Sequence, residues 1–568
     1  MLGDEPDEPC NSGSYKVTLA SLDIKDAFLQ VPHDKIIGAE LYDTEYLVLR
    51  NLPGQRLGAK AWYWHFRNYV SEVLSCCWCK EQPCIGRCTV DGVHSTFMIH
   101  VDDLLFAGGH DFWINKFLPA MTSKFSVSYN ELKDVGSSIC FLEWKLVKLA
   151  DVLMVVPGTT TKKVVTCFEK AFGHARAQKI PCDSSIQNPD TSQQLTAADG
   201  RSYRSVIGLL LYLARERMDV MFAVKELAIY MSAPTLCALQ RLRKVIGYLK
   251  TSGGMGVKLV VPESGSGKWK SGGEQVWPAE TSTDADRSAN KQHRKSTSSA
   301  IHFVNGSFVY ASSRSQRIVS LSSAESELHS MVSGCSDGIY IKRCLEFLTG
   351  KEVQHYQWTD NSASRQLVSK QGVGRIRHLS GKVLWIQVTK QLAVGQIPTE
   401  WNYSDIGTKP LNKSRLMILL NQIGAMDPIN LEMIGQEEFD AVSSRLVGQQ
   451  ILKRVAKTIL RMAALWGLES LAQNGAEAAE ITVDDGGTCV AADQQVTNSS
   501  ETWWLWLALA FMFWLWTAFA VAAYMAWRRL SHDMFIAGIK WALKMLTLFN
   551  RRIELTCWME YSTIWVSV

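Results

Sequence analysis

Residues 15–150 mix short apolar runs with stretches in which hydrophobic residues recur every three or four positions, the pattern of strands interleaved with amphipathic helices. Asn51-Leu52-Pro53-Gly54 marks a turn, and a helical stretch from Ala59 to Leu74 follows it. Helical period returns at Tyr203, Ile207, Leu210, Leu211 and Ala214, then at Met221, Ala223, Val224 and Leu227, with a further helix from Thr235 to Leu249 behind Pro234. Glycine and serine concentrate between Gly253 and Gly273 and predict a linker. Within it, Gly265-Ser266-Gly267-Lys268 lacks the preceding strand and the full spacing of a phosphate loop. Residues 278–410 then read as strand, hairpin, helix, strand, helix, helix. Ile301, Phe303 and Val304 lead into Asn305-Gly306, a strong hairpin signal, and Phe308-Val309-Tyr310 returns. Ser322-Ser323-Ala324-Glu325 has the look of a helix start, and apolar or small residues continue to Leu345.

The last hundred residues change character. No lysine or arginine occurs from Met462 through Trp527, and Glu477, Glu480, Asp484, Asp485, Asp493 and Glu501 predict an acidic, disordered linker over 471–501. Trp503–Trp527 is free of charge, rich in Trp, Phe, Leu and Ala, and closed by Arg528-Arg529, which predicts a transmembrane helix. Met534–Phe549, interrupted by Lys540 and Lys544, predicts an amphipathic tail within 531–568. The expected order is a disordered N-terminus (1–14), an α+β domain (15–150), a helical connecting region (151–252), a linker (253–277), an α/β domain (278–411), a helical extension (412–470), the acidic linker, the membrane helix and the tail. Localisation follows as a single-pass membrane protein with its enzyme domain on the cytosolic side; a glycosylated Asn498-Ser499-Ser500 would reverse that orientation.

A chain of 568 residues, 47% hydrophobic, has room for about three or four domains. Its net charge of +5 confines any nucleic-acid footprint to local patches. Candidates are Arg241, Arg243, Lys244 and Lys250; Arg287, Lys291, Arg294 and Lys295; and Lys370, Arg375, Arg377 and Lys382. Fourteen cysteines behind an acidic N-terminus without an apolar core suit a reducing compartment, so disulfides are not expected. Cys76, Cys77, Cys79, Cys84 and Cys88 have a spacing only loosely compatible with zinc; without a regular pair of Cys-x-x-Cys units, a thiol-rich hairpin loop is the expected reading.

Two sets of carboxylates carry the candidate chemistry. Asp23 follows an apolar strand, and Asp102-Asp103 sits in a tight apolar hairpin, His100-Val101-Asp102-Asp103-Leu104-Leu105. Asp284, Glu325, Asp360 and Asp405 form the second set, each at the end of a strand or the start of a helix. Such positions let a fold gather ligands for divalent cations from distant parts of the chain, and two-metal phosphoryl chemistry needs that.

Flanking residues add a resemblance. Leu22-Asp23-Ile24-Lys25-Asp26-Ala27-Phe28-Leu29 and Val101-Asp102-Asp103 resemble the polymerase motifs of the reverse transcriptase in copia-type retrotransposon Pol polyproteins. Phe141-Leu142-Glu143-Trp144 and the segment Tyr203–Ala214 match further landmarks of that family. Ser282-Thr283-Asp284-Ala285-Asp286, Ser296-Thr297-Ser298, Leu321–Glu327, Thr359-Asp360-Asn361 and Ser404–Leu411 resemble its ribonuclease H blocks, in order. The resemblance runs from about residue 18 to 411. It implies an α+β reverse-transcriptase palm with a helical, thumb-like connection, followed by an α/β ribonuclease H-like domain.

By the same resemblance, Asp23, Asp102 and Asp103 would hold catalytic metal ions, Phe28 would be the steric gate against ribonucleotides, and Gln55 would contact the nucleotide. Asp284, Glu325, Asp360 and Asp405 would bind two Mg²⁺ ions, or Mn²⁺ in their place, with Glu327 as the alternative ligand on the helix and His378 assisting product release. Implied partners are an RNA–DNA hybrid or primer–template, a dNTP, and a membrane through residues 503–527. His100 departs from the family's tyrosine, and the fingers region that usually precedes Asp23 is missing. Hybrid cleavage is therefore the activity expected to be intact; the alternative is a retroelement relic serving as a membrane-tethered nucleic-acid-binding or scaffold protein.

Overall fold

Strand β1 (Val17–Ile24) buries every second side chain, Thr18, Ala20, Leu22 and Ile24, as a strand lying on a core must. The computed structural model describes residues 17–440 except 34–37, 43, 91, 151, 260–269, 272–273, 276, 371–380, 382–384, 388–391 and 428–432. The chain divides into two units, Met1–Val455 and Ala456–Val568, and every described residue lies in the first.

After β1 come a hairpin of β2 (Gly38–Leu41) and β3 (Thr44–Leu47), and α1 (Gly58–Leu74), which buries Trp62, Phe66 and Val70 at a four-residue spacing. Strands β4 (Cys77–Trp78), β5 (Ile85–Val90), β6 (Val93–His100) and β7 (Asp103–Gly109) follow, then α2 (His110–Phe112), α3 (Leu118–Lys124) and β8 (Val127–Glu131). They form one sheet in the order β4-β5-β6-β7-β1-β8. Phe97, Phe106, Trp113 and Phe117 pack with α1 beneath it. Antiparallel pairing of Cys77 with Arg87 leaves Cys76 opposite Cys88, and these two form a disulfide with a Cα–Cα distance of 4.4 Å. The expectation of no disulfides is corrected: strand pairing, which the cysteine spacing does not reveal, brings the two thiols together.

Strands β9 (Ser138–Phe141), β10 (Trp144–Lys148) and β11 (Leu153–Pro157) precede four helices, α4 (Thr160–Phe172), α5 (Ala197–Leu213), α6 (Met218–Ala228) and α7 (Leu236–Ser252). Thr196 and Thr235 cap α5 and α7 by accepting hydrogen bonds from the amides of Asp199 and Ala238. Strand β12 (Gly256–Leu259) pairs with β11, within the 253–277 stretch, and a short hairpin, β13 (Lys270–Ser271) with β14 (Glu274–Gln275), comes next.

Strands β15 (Trp277–Asp286), β16 (Thr297–Val304) and β17 (Ser307–Ser315), the long helix α8 (Ser323–Thr349), β18 (Val353–Thr359), α9 (Ser362–Ser369) and β19 (Leu392–Gln396) build a mixed sheet ordered β17-β16-β15-β18-β19. Asn305 and Gly306 both adopt positive φ in the β16–β17 turn, as a two-residue hairpin turn demands. A 3-10 turn at Tyr403–Gly407 and a helix at Lys413–Ile423 lead to β20 (Ala425–Met426), which pairs with β12.

Two glycines let α8 sit close on this sheet. A Cβ on Gly338 would lie 2.1 Å from His355 Cε1 and 2.7 Å from Thr281 Oγ1; one on Gly334 would lie 2.4 Å from Thr283 Cγ2. His355 and Thr281 are themselves buried and hydrogen-bonded at 2.8 Å, so neither can move aside.

The expected membrane-spanning element and single-pass localisation are corrected here. Among the described residues no helix is long and apolar enough to cross a membrane. The longest, α8, carries Glu325, Glu327, Asp337, Lys342, Arg343 and Glu346 and packs on a sheet. Residues 503–527 lie outside the described residues, as do the N-terminal segment 1–14, the acidic linker 471–501 and the tail 531–568.

Gly338→Ala should lower the unfolding free energy by roughly 1–3 kcal/mol in chemical denaturation, because the new methyl has no space. Gly208→Ala in α5, where a Cβ meets nothing within 4 Å, should instead raise it by about 0.5–1 kcal/mol.

Candidate active site

Asp284 lies near the C-terminal end of β15, between Thr283 and Asp286, and is buried. Ser330 of α8 donates a hydrogen bond to the Asp284 carbonyl at 2.7 Å, which locks the helix to the strand beside this residue. Across from it Asp360 follows the last residue of β18, a parallel neighbour of β15, so the two aspartates emerge at the same edge of the sheet.

The first turn of α8 decides which glutamate joins them. Ser322 caps the helix by accepting from the Glu325 amide at 3.1 Å, and the Glu325 carboxylate reaches back to accept from the Leu321 amide at 2.8 Å. That reciprocal arrangement resembles a capping box, and it engages Glu325 at the helix start. Glu327, two residues further along and so on another face, points at the aspartates. Ligand oxygens of Asp284, Glu327 and Asp360 all lie within 4.8 Å of one another.

Gathering three carboxylates in a buried place raises their proton affinity. Burial, with the charges of Asp284 and Asp360, pushes Glu327 up to about 9. Burial does the same to Asp284, against the pull of Lys409, and takes it to about 7. One Glu327 oxygen, Oε2, is buried without a hydrogen-bond partner. A donor set of three hard oxygens with an orphaned, electron-rich atom fits a divalent cation.

Asp405 is brought to the same edge by a different route. Ser282 donates to the Asn402 side chain at 2.8 Å, and Ser404 donates to the Ser282 carbonyl at 2.7 Å, so the turn carrying Asp405 is stitched to β15. The Thr408 hydroxyl donates to Asp284. Asp405 is held by two cations, Lys409 at 2.6 Å and Arg415 at 3.0 Å. Burial opposes the Lys409 charge, but Asp284 and Asp405 outweigh it and hold the ammonium above the ordinary lysine value. Thr408 and Lys409 lie in the Ser404–Leu411 block but carried no assigned role there, and Arg415 was not singled out; the four-residue step from Asp405 to Lys409 was the available signal.

The second carboxylate set lies in the β4–β8 sheet. Antiparallel register places Asp23 directly opposite Asp103, and Asp103 opposite His100. The intervening turn is pinned from two sides: the Ile24 amide donates to the Asp102 carbonyl at 3.0 Å, and the Trp62 indole donates to the Val101 carbonyl at 2.6 Å. Val101 takes φ +59°, a strained conformation for a β-branched residue that typically costs about 1–3 kcal/mol. Asp103 titrates above its ordinary value, first through burial, then through Asp102 and Asp23, with His100 opposing. Asp23 and Asp102 are exposed at the sheet edge. The oxygens of this trio are not gathered as closely as those around Asp284. Phe28, in the 3-10 turn Ala27–Gln30, and Gln55 both flank Gly58, where a Cβ would lie 3.5 Å from Phe28 Cδ1 and 3.8 Å from Gln55 Cβ.

Six of the nine basic candidates among the described residues serve the fold. Arg241 donates to Tyr230 and the Asn188 carbonyl, Arg243 to the Phe172 and His174 carbonyls, while Lys244 and Lys250 pair with Asp183 and Glu169. Arg287 and Lys291 bond the Leu321 carbonyl and the Asn188 side chain. Arg375, Arg377, His378 and Lys382 lie outside the described residues.

No family model matches the chain. Among curated proteins it is 21% identical over 442 residues to the retrovirus-related Pol polyprotein from transposon TNT 1-94 of Nicotiana tabacum, covering 73% of this chain and 31% of that protein. It is 24% identical over 391 residues to the corresponding polyprotein from transposon RE1 of Arabidopsis thaliana, covering 66% of this chain and 24% of that protein. The chain is a homologue of copia-type retrotransposon Pol polyproteins. It spans under a third of the length of these Pol relatives. Among solved structures it is similar to a foamy viral protease–reverse transcriptase in complex with an RNA/DNA hybrid, at 12% identity and a TM-score of 0.40, over 67% of this chain and 44% of that one.

The carboxylate cluster of this Pol homologue sets a pH dependence. Folded-state values for Glu327 and Asp284 lie above those of free carboxylates, so between the two the folded chain binds more protons, and its stability falls as pH rises through that window. Without divalent ions, melting temperature should decline from about pH 5 towards pH 9. Glu327→Gln should flatten that decline in melting curves, and added Mg²⁺ should offset it in the unsubstituted chain only.

Proposed function

We propose that the chain is a retroelement-derived nuclease that cleaves the RNA strand of an RNA–DNA hybrid with a divalent metal, Mg²⁺ or Mn²⁺. The observation that carries this reading is the convergence of Asp284, Glu327 and Asp360 from three separate elements to within 4.8 Å. Those three residues would hold the metal, with Glu327 in the place that the motif alone suggests for Glu325. A bound divalent ion would polarise a phosphate oxygen and lower the pKa of an attacking water.

The chain's own groups supply orientation and charge. Thr408 fixes one Asp284 oxygen by donating to it, and Ser330 fixes its backbone, so the carboxylate cannot rotate away. Lys409 places a positive charge 3.9 Å from Asp284, at the side where a phosphodiester would bring negative charge. Selection of RNA would rest on contacts to the 2′-hydroxyl and on hybrid shape.

A second activity, DNA synthesis from a primer–template and dNTPs, is favoured by the pairing of Asp23 with Asp103 and by the placement of Phe28 and Gln55 on either side of Gly58. In that reading Asp23, Asp102 and Asp103 hold the metal ions, Phe28 excludes ribonucleotides and Gln55 contacts the nucleotide.

The test is Mg²⁺-dependent cleavage of a labelled RNA–DNA hybrid by the full chain. Asp284→Asn, Glu327→Gln and Asp360→Asn should each reduce the rate by more than the roughly 10–100-fold typical of groups that only support a metal ligand. Glu325→Gln should retain cleavage and lose about 1 kcal/mol of stability through the weakened cap. A folded chain that cleaves no hybrid would leave a nucleic-acid-binding or scaffold role.

A further inference from the structure

The far end of α8 meets the β4–β8 sheet. Arg87 of β5 donates to the Phe347 carbonyl at 2.5 Å, and its guanidinium lies over the Phe347 ring, 5.1 Å from the centroid. Gly350, which ends the helix, sits so close to β6 that a Cβ there would lie 2.6 Å from His94 Nε2. Thiols occupy the same joint. The Tyr340 hydroxyl donates to Cys344 Sγ, Cys344 donates to Cys79 Sγ, and Cys79 donates to Glu81 Oε2 at 3.7 Å. The step from Cys344 to Cys79 is the one that crosses from α8 to the β4–β5 loop. Cys79 is 2% exposed, whereas Cys344 is half-buried, so one thiol is sealed and the other can be reached from solvent. A hydrogen bond between two thiols is weak and does little to hold the joint. Two sulfurs so placed are, however, one oxidation away from a covalent bond.

We infer that Cys79 and Cys344 are the two halves of a redox-sensitive disulfide that fastens α8 to the β4–β5 loop, closed and opened by exchange with a low-molecular-weight disulfide and its thiol. The exchange balances without any other oxidant. Cys344 gives up its proton and its sulfur attacks the small disulfide RSSR, releasing one RS⁻ and leaving a mixed disulfide. Cys79 then gives up its proton and attacks the Cys344 sulfur, releasing the second RS⁻. The chain loses two protons and two electrons, and RSSR becomes two RSH. Burial, with Cys79 beside it, pushes the Cys344 thiol up to about 12, so Cys344 rests as a neutral thiol until exchange begins. The bond would close a loop from 79 to 344, far longer than that of the Cys76–Cys88 bridge, whose partners are 12 residues apart. It would also hold the helix that carries Glu327 against the sheet that carries Asp23 and Asp103. The inference is independent of the nuclease reading.

The test equilibrates the full chain with mixtures of oxidised and reduced glutathione, blocks the remaining thiols with N-ethylmaleimide, and reads non-reducing proteolytic digests by mass spectrometry. A linked peptide containing Cys79 and Cys344 should accumulate as the oxidised form is raised and disappear on reduction. It should be lost in Cys344→Ser and kept in Cys84→Ser, with circular dichroism confirming that both variants fold. The upward shift in melting temperature on oxidation should be larger in the unsubstituted chain than in Cys344→Ser, which retains the Cys76–Cys88 bridge. A folded chain in which Cys344 stays free in every mixture, or links to Cys84 instead of Cys79, would overturn the inference.

Discussion

The close seat of α8 on β15 and β18 is the constraint from which the acidic centre follows. Gly334 and Gly338 put no side chain at the points where the helix meets Thr283, His355 and Thr281, so the helix axis lies nearer the strands there than larger residues would permit. Ser330 then bonds the Asp284 carbonyl, fixing the helix along its length as well as its height. With both set, Glu327 meets Asp284 and Asp360. The resulting concentration of negative charge is unfavourable in itself, as the raised proton affinities of Glu327 and Asp284 record. The fold tolerates it because the surrounding strands are over-determined by packing and by the buried polar links of Ser282, Thr283, Asn402 and Ser404.

A related logic governs the other carboxylate pair, with a different outcome. Pairing of β1 with β7 sets Asp23 against Asp103, and α1 fastens the β6–β7 turn through Trp62. There the acids stand at an open sheet edge, where water screens their repulsion. Asp103, the partly buried member, has a raised proton affinity, first through burial and then through its neighbouring aspartates. The two sites therefore differ in burial, although both draw on acids brought in by neighbouring strands.

Much of this was legible in the sequence. Period-2 and helical patterns, the Asn305-Gly306 turn and the capping residues at Ser322 and Thr235 depend on local chemistry, and they marked elements that the structure contains. The order of the acidic motifs was legible too. Less so was which α8 glutamate meets the aspartates, because a capping serine followed three residues later by Glu325 is a helix-start signal as well as an acidic one, and the two meanings compete for the same side chain. The Cys76–Cys88 bridge and the internal use of Arg241, Arg243, Lys244 and Lys250 depended on partners distant in sequence. Hydropathy over 503–527 spoke for a membrane span, whereas the described helices bury their apolar faces against other elements.

By itself the sequence marked the helices around Ala59–Leu74, Tyr203–Ala214 and Thr235–Leu249, the Asn305-Gly306 hairpin, the start of α8, and which residues could carry metal chemistry, since each depends on neighbours a few positions away. Tertiary structure alone decided that Glu327 and not Glu325 meets the two aspartates, and that Asp405 is paired with Lys409 and Arg415. Those outcomes turn on helix height and rotation over the sheet, differences of a few ångströms set by glycines, serines and threonines distributed from residue 281 to 415. No local pattern carries that information, because the distance between two carboxylates belongs to the packing of elements and not to any one of them.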